Sequence, residues 1–274
     1  MAIERHGCSE RFACRVLSQS RSTQRRIPRH QRPDDPDRWL RDWLTAWAAR
    51  PKNRRKGYRR AWADLCHEGH SVNRKRVQRV WQCEKLQVST RRRRKRVGAS
   101  TTAAPVTKAS APNEVWAFDF QFDATVDGRR FKIASMVDEY TRESLLNIVD
   151  WSITGKHLVA EIQRVIRHRG TPPKVLRCDN GPELVSAAVA EFCAERIGIY
   201  YIPPGEPWNN GFIESFNNRV RDECLQLNQW RNLLEARIEI GDWKSHYNHH
   251  HRHSNLDYMT PIEYAHQHQM TQRL

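Results

Sequence analysis

The chain is 274 residues long and 38% hydrophobic, enough for one large domain or two ordinary ones with cores of modest size, and so for an enzyme. Its net charge of +16 is unevenly shared: residues 1–112 carry 29 Lys/Arg against 9 Asp/Glu, a balance of +20, and residues 113–274 carry 18 against 22, a balance of −4. No apolar run approaches the roughly 18 residues of a membrane span, and "MAIERHGCSE" has charges where a signal peptide is apolar, so a soluble, cytoplasmic chain without a membrane partner is expected.

A strongly basic segment repels itself unless a polyanion neutralises it, and nucleic acid is the commonest such partner. The acidic half cannot be mainly a phosphate binder unless cations sit on its carboxylates. The seven cysteines, at 8, 14, 66, 83, 178, 193 and 224, include no C-x-x-C pair, which favours reduced thiols over a disulfide framework or a structural zinc.

In chain order, residues 9–26 suggest a weak helical unit within a basic N-terminal segment, 1–33. "PDRWLRDWLTAWAARP" then places Trp39, Leu40, Trp43, Leu44 and Trp47 at helical spacing, closed by Pro51. The next helix puts Tyr58, Trp62, Leu65 and Cys66 on one face. After a break at Gly69, a second helix turns Val77, Val80 and Trp81 inward and Asn73, Arg74, Lys75, Arg76, Gln78 and Arg79 outward. This is a helix-turn-helix pattern, whose second helix meets a DNA groove near its start; a plain helical hairpin is the alternative. The domain spans 34–97 and includes "RRRRKR". There Arg91, Arg92, Arg93 and Arg94, next to basic helices, are expected to contact phosphate rather than to form only a solvated charge run. Residues 98–112, "GASTTAAPVTKASAP", lack periodicity and form a linker.

From residue 113 the pattern turns to strands. "EVWAFDFQFDA", "RRFKIASMVDE" and "ESLLNIVDW" are β-rich, the first two joined by a turn at Val126-Asp127-Gly128-Arg129. A helix, the short strand "PKVLRCD", a second helix, the strand "IYYIPP" and a third helix follow. The order β-β-β-α-β-α-β-α predicts an α/β, ribonuclease-H-like domain: a mixed five-stranded sheet flanked by helices, preceded by the small all-α domain. The core is placed at 113–240 and a C-terminal helical tail at 241–274.

Asp119 lies among alternating apolar residues of the first strand, where a buried acid is costly without a compensating cation. Asp179, in "CDNGPE", ends the fourth strand, which in this topology neighbours the first, so two carboxylates converge at one end of the sheet. Asn180-Gly181 supplies a turn through which DNA can approach the backbone. Glu214 stands near the start of the third helix, with Asn218 and Arg221 within roughly 60° of it at about 100° per residue. Glu183 is the rival third acid. Three carboxylates suit two Mg²⁺ ions, with Mn²⁺ as a substitute, acting on one phosphodiester.

At these motifs the chain resembles the insertion-sequence transposases with a retroviral-integrase-like core of the D-D-E superfamily, most closely the second-reading-frame products of the family named after insertion sequence three. The resemblance rests on "NRKRV", "VWAFDF", "VDEYTRES", "CDNGPE", "PWNNGFIESFNNRVRDECL" and "YNHHHRHSNLDYMTPIEY" and covers nearly the whole chain. It implies metal ligation by Asp119, Asp179 and Glu214, with Arg221, seven residues after the glutamate, contacting the DNA end. The 35-residue step from Asp179 to Glu214 is one shorter than the family's usual spacing, a difference a shorter loop at 203–209 would absorb. The resemblance further implies a chain that is the downstream frame alone, a homo-oligomer on double-stranded element and target DNA, and a partner or fusion supplied by an upstream frame. The histidines at 246, 249, 250, 251 and 253 favour packing or DNA contact over metal. The expected function is Mg²⁺-dependent cleavage and strand transfer of element ends. The alternatives are a nuclease without strand transfer and a non-enzymatic helix-turn-helix regulator.

Overall fold

The computed structural model describes residues 9–27, 35–88, 109–181, 183–194, 197–203 and 210–271. The chain divides into two compact units, Met1–Ser89 and Thr90–Leu274.

Among the described residues the first unit is all helical: α1 (Glu10–Val16), α2 (Arg21–Gln24), α3 (Arg38–Ala49), α4 (Tyr58–His67) and α5 (Arg74–Cys83). α1 and α2 are capped by Ser9 and Ser20, whose hydroxyls accept from the Phe12 and Thr23 N–H groups. The 3.6-residue period of α3 turns Leu40, Leu44 and Trp47 onto Ala61 and Leu65 of α4 and Val77, Val80 and Trp81 of α5. Trp39, expected on this face, is largely exposed and stacks near His70, and Cys66 is exposed too. Three indole N–H groups fix the packing: Trp43 donates to Glu68 (2.8 Å), Trp47 to Asp64 (2.9 Å) and Trp62 to the Val72 carbonyl (2.8 Å). Gly69, at φ +90°, lets the chain leave α4, and Asn73 caps α5 by accepting from the Lys75 N–H.

The second unit holds the expected sheet. β1 (Val115–Ala124), β2 (Arg130–Asp138) and β3 (Ser144–Asp150) form an antiparallel meander; β4 (Val175–Cys178) and β5 (Gly198–Tyr201) add parallel strands, giving the order β3-β2-β1-β4-β5. The β1–β2 turn falls at the expected residues, with Gly128 at φ +82°. α6 (Gly155–Arg169) and α7 (Ala187–Cys193) cover one face, and α8 (Gly211–Glu223) and α9 (Leu233–His250) the other.

Strand alternation decides which residues face which layer. Trp116 and Phe118 join Met136, Leu158, Leu176 and Val189 in one core. Ala117 joins Ile133, Ile213, Phe216, Ile240, Trp243 and Tyr247 in the other. The expected boundary between core and tail at 240/241 therefore falls inside α9, because Ile240, Trp243 and Tyr247 recur along a single buried stripe of that helix. α10 (Pro261–Thr271) follows and lays Tyr264 and His268 against Tyr140.

One ion pair lies inside the sheet layer. Arg177 of β4 donates to both carboxylate oxygens of Glu139 at 2.7 and 2.9 Å, and both side chains are buried. Burial pushes the Glu139 carboxyl up to about 7, against the pull of Arg177 and Arg142. Removing one partner strands the other's charge in a low dielectric. Glu139→Gln should therefore cost about 3 kcal/mol or more in urea unfolding, whereas Glu139→Leu combined with Arg177→Met should recover most of that loss.

Candidate active site and nucleic-acid interface

The parallel register of β1 and β4 pairs Val115 with Val175, Trp116 with Leu176 and Ala117 with Arg177. Carried two residues further, it sets Asp179 at the level of Asp119. Asp119 occupies the α8 face of β1, between Ala117 and Gln121. Its Oδ1 accepts from the Phe120 N–H (2.8 Å) and its Oδ2 from the Asn217 amide (2.9 Å). Gln121, 3% exposed, donates in turn to the Asn217 oxygen (3.3 Å). The helix that carries Glu214 is thus tied to the strand that carries Asp119.

Helical spacing points to Asn218 as the amide beside Glu214; in the structure it is Asn217, itself 5% exposed, that meets Asp119, while Asn218 is half-buried. Both i+3 and i+4 share a helical face, and the i+3 spacing was the missed signal. Arg221 is exposed two turns after Glu214, itself exposed in the first turn of α8.

Asp119 senses the other two acids. Burial pushes the Asp119 carboxyl up to about 6. The Phe120 N–H and the Asn217 amide work against that rise, and the negative charges of Asp179 and Glu214 add to it. Among the described residues no three His, Cys, Asp or Glu side chains close on one point tightly enough to grip a metal between them.

The turn after β4 is self-supporting. Asp179 accepts from the Gly181 N–H (3.1 Å), and Asn180 donates to the Ile202 carbonyl (3.0 Å), which joins the turn to the end of β5. The Asn180 amide, expected at the DNA, thus has an internal partner. Glu183, the rival third acid, forms an ion pair with Lys132 of β2, whose ammonium lies 5.7 Å from the ring centres of Phe120 and Phe122. That places Glu183 against the opposite side of β1 from Asp119.

In the helical unit the basic residues of α5 divide into two kinds. Arg74 and Lys75 are exposed, the former near the Trp62 ring. Arg76 and Arg79, expected outward, instead donate to the two oxygens of Asp37 at 2.7 and 2.5 Å. Asp37 is 2% exposed. Burial pushes its carboxyl up, and the hydrogen bonds of Arg79 and Arg76 outweigh this and hold it below its usual value. Helical spacing marks both as partly outward, but a buried acid on another helix, which periodicity does not reveal, draws them in. Arg91 to Arg94 lie outside the described residues. In the histidine-rich stretch, His251 is buried, stacks on Tyr247 and His253, and lies 3.6 Å from Glu223.

Residues 109–207 and 195–261 match two families each described as Integrase core domain, and residues 47–95 match the HTH-like domain. Among solved structures, a chain of the simian T-cell lymphotropic virus intasome, solved in complex with the PP2A regulatory subunit B56 gamma, superposes with a TM-score of 0.50 at 14% identity, covering 76% of this chain and 74% of that one. Fold and core together define a polynucleotidyl transferase with an integrase-type catalytic domain. The uncharacterized 31.7 kDa protein of insertion element IS407 from Burkholderia multivorans is 38% identical over 269 residues, 98% of this chain and 94% of that protein. The putative transposase InsK of insertion sequence IS150 from Escherichia coli K12 is 25% identical over 226 residues, 78% of each chain. The chain belongs to the insertion-sequence transposases of the D-D-E superfamily.

Two predictions follow from the geometry. Desolvation pushes the Asp119 carboxyl up to about 6 in the fold, against about 3.9 for a free aspartate, so its favourable contribution is complete below about pH 3.9 and is lost as pH rises through about 6. At about pH 7.5 in a chelator, Asp119→Asn should raise the unfolding free energy by up to about 3 kcal/mol and remove the matching slope from the pH–stability curve. Equal stability of the two proteins at that pH would refute the charge conflict. In the helical unit, Arg76→Ala with Arg79→Ala should lower stability by about 1–3 kcal/mol by uncovering Asp37. Arg74→Ala with Lys75→Ala should leave melting within about 0.5 kcal/mol of the parent while weakening DNA binding.

Proposed function

We propose that the protein carries out Mg²⁺-dependent cleavage of insertion-sequence ends and their strand transfer into target DNA, with Asp119, Asp179 and Glu214 as the catalytic acids. The observation that carries this reading is the electrostatic conflict at Asp119: a half-buried carboxyl on the central strand, its affinity for a proton raised by desolvation and further by the other two acids, yet held by donors that favour its charged form. A divalent cation relieves that conflict, and the donors are the hard carboxylate oxygens that Mg²⁺ takes, with waters and phosphate oxygens to complete its shell. When bound, such ions supply a nucleophile activated at neutral pH and charge stabilisation for the leaving oxygen.

The chain's own residues do the rest. Asn217 fixes the orientation of the Asp119 carboxylate from the same helix that presents Glu214. Asn180 and Gly181 shape the turn that presents Asp179. Arg221 and Asn218, farther along α8, face the DNA end, and Arg74 and Lys75 contact DNA from α5. The basic region that includes Arg91 to Arg94 supplies the phosphate grip, so residues 1–97 act as the DNA-binding part and 113 onward as the catalytic part. A homo-oligomer on the DNA, and a partner or fusion from an upstream reading frame, complete the proposal. Its setting is the bacterial cytoplasm. Among the described residues no helix is long and apolar enough to cross a membrane.

The test uses labelled duplexes carrying the element ends, target DNA and Mg²⁺. Asp179→Asn should abolish both cleaved and joined products while leaving DNA affinity without metal nearly unchanged, because the amide keeps the shape and removes the charge. Substantial strand transfer by a well-folded Asp179→Asn protein would refute the assignment. Cleavage without joining by the parent protein would leave a nuclease instead.

A further inference from the structure

The segment "VDEYTRES" lies between β2 and β3 and takes no part in the site described so far. It is a tight, internally bonded turn. Asp138 accepts from the N–H groups of Tyr140 and Thr141 on one carboxylate oxygen and from Asn113 on the other, and its carbonyl accepts from the Arg142 N–H at 2.9 Å. Arg142 has φ +64°, a conformation uncommon for a residue with a side chain, and the surrounding bonds hold it there.

This backbone sends the Arg142 side chain across to α8. The guanidinium carbon stands 3.9 Å from the centre of the Phe212 ring, and Arg142 makes no side-chain hydrogen bond or ion pair among the described residues. Phe212 is the second residue of α8 and lies two before Glu214. Ile213 seats the inner side of the helix start in the core, but the cap is weak: Asn210 makes no side-chain capping bond, and its buried carboxamide oxygen has no partner among the described residues. A cation at a helix N-terminus opposes the helix dipole, so the dipole does not explain Arg142 here. The face of an aromatic ring does. The environment agrees: burial holds the Arg142 pKa below its usual value, against the favourable pull of Tyr247, Glu139 and Asp138.

We infer that Arg142 is a positioning residue: stacked on Phe212, its guanidinium fixes the first turn of α8 and so aims Glu214 at the reacting phosphodiester. This rests on the reading of Glu214 as the third catalytic acid. The division of labour along α8 is then complete. Asn217 ties the second turn to Asp119, and Arg142 ties the first turn to the β2–β3 connection, with Glu214 between the two anchors.

The experiment measures cleavage of labelled element ends by the full chain in Mg²⁺, with DNA varied to separate kcat from KM. Arg142→Gln and Phe212→Leu should each lower kcat about tenfold with KM for DNA unchanged, the scale of a desolvated cation–π contact. The double variant should lose no more than the worse single one, since both changes break one contact. Arg142→Lys and Phe212→Tyr, which keep the cation and the ring, should stay within about threefold of the parent. Multiplying losses, a rise in KM alone, or unchanged kcat in both single variants would overturn the inference, a rise in KM showing that Arg142 touches DNA directly. Melting curves qualify each variant, with Phe212→Met and Arg142→Met replacing any that do not fold. Unfolding of every substitute that lacks the ring or the cation would also overturn it, because the pair would then hold the domain together rather than aim an acid. Glu214→Gln runs alongside: if it still cleaves, the assignment of Glu214 fails. If it is inactive while the Arg142 and Phe212 variants match the parent, only the present inference fails.

Discussion

The parallel pairing of β1 with β4 brings two strands into register so that an acid in the middle of one and an acid at the end of the other stand at the same level. Like charges so placed repel, and Asp119 is half-buried. The surrounding architecture manages this repulsion without removing it. The Phe120 N–H and the Asn217 amide favour the charged form of Asp119, whereas burial, Asp179 and Glu214 favour the neutral one. A third carboxylate arrives on α8, anchored by the same amide. Sites of this kind store a demand for positive charge, and the fold supplies the rigidity that keeps the demand in place.

The helical unit treats charge in the opposite way. Its buried acid, Asp37, is neutralised by two arginines of the helix whose outer face would meet DNA. Of the four cationic residues Arg74, Lys75, Arg76 and Arg79 of α5, two are therefore structural and two are exposed. Counting the positive residues of a basic helix overstates its grip wherever an acid from a neighbouring helix reaches into the stripe.

Much of this was legible in the sequence because it depends on short-range rules. Alternation in "WAFDFQF" placed Asp119 on the face opposite Phe118, the β-β-β-α-β order placed the fourth strand beside the first, and the spacing of Leu40, Leu44 and Trp47 marked a buried stripe. The rest depends on partners distant in the chain. Nothing local distinguishes Asn217 from Asn218 until Asp119, 98 residues away, selects one. Arg76 and Arg79 look free until Asp37 is folded against them, and Glu183 looks available until Lys132 reaches it. The boundary expected at 240/241 cuts a helix for a related reason. A helix whose last turns are rich in histidine resembles an appendage, and the packing of Trp243 and Tyr247 shows that it belongs to the core.

That packing bears on how such a gene decays. Trp243 and Tyr247 lie 5.5 and 5.0 Å from the ring of Phe216, which sits one turn beyond Phe212 on the helix that presents Glu214. A premature stop codon that spares all three acids but removes the last thirty or so codons would still take Tyr247 from beneath that helix and expose the apolar floor of the sheet. Copies of an insertion element that appear intact when judged by these three acids alone can therefore be dead at their 3′ end, and the reading frame has to be followed to its close before a copy is counted as able to move.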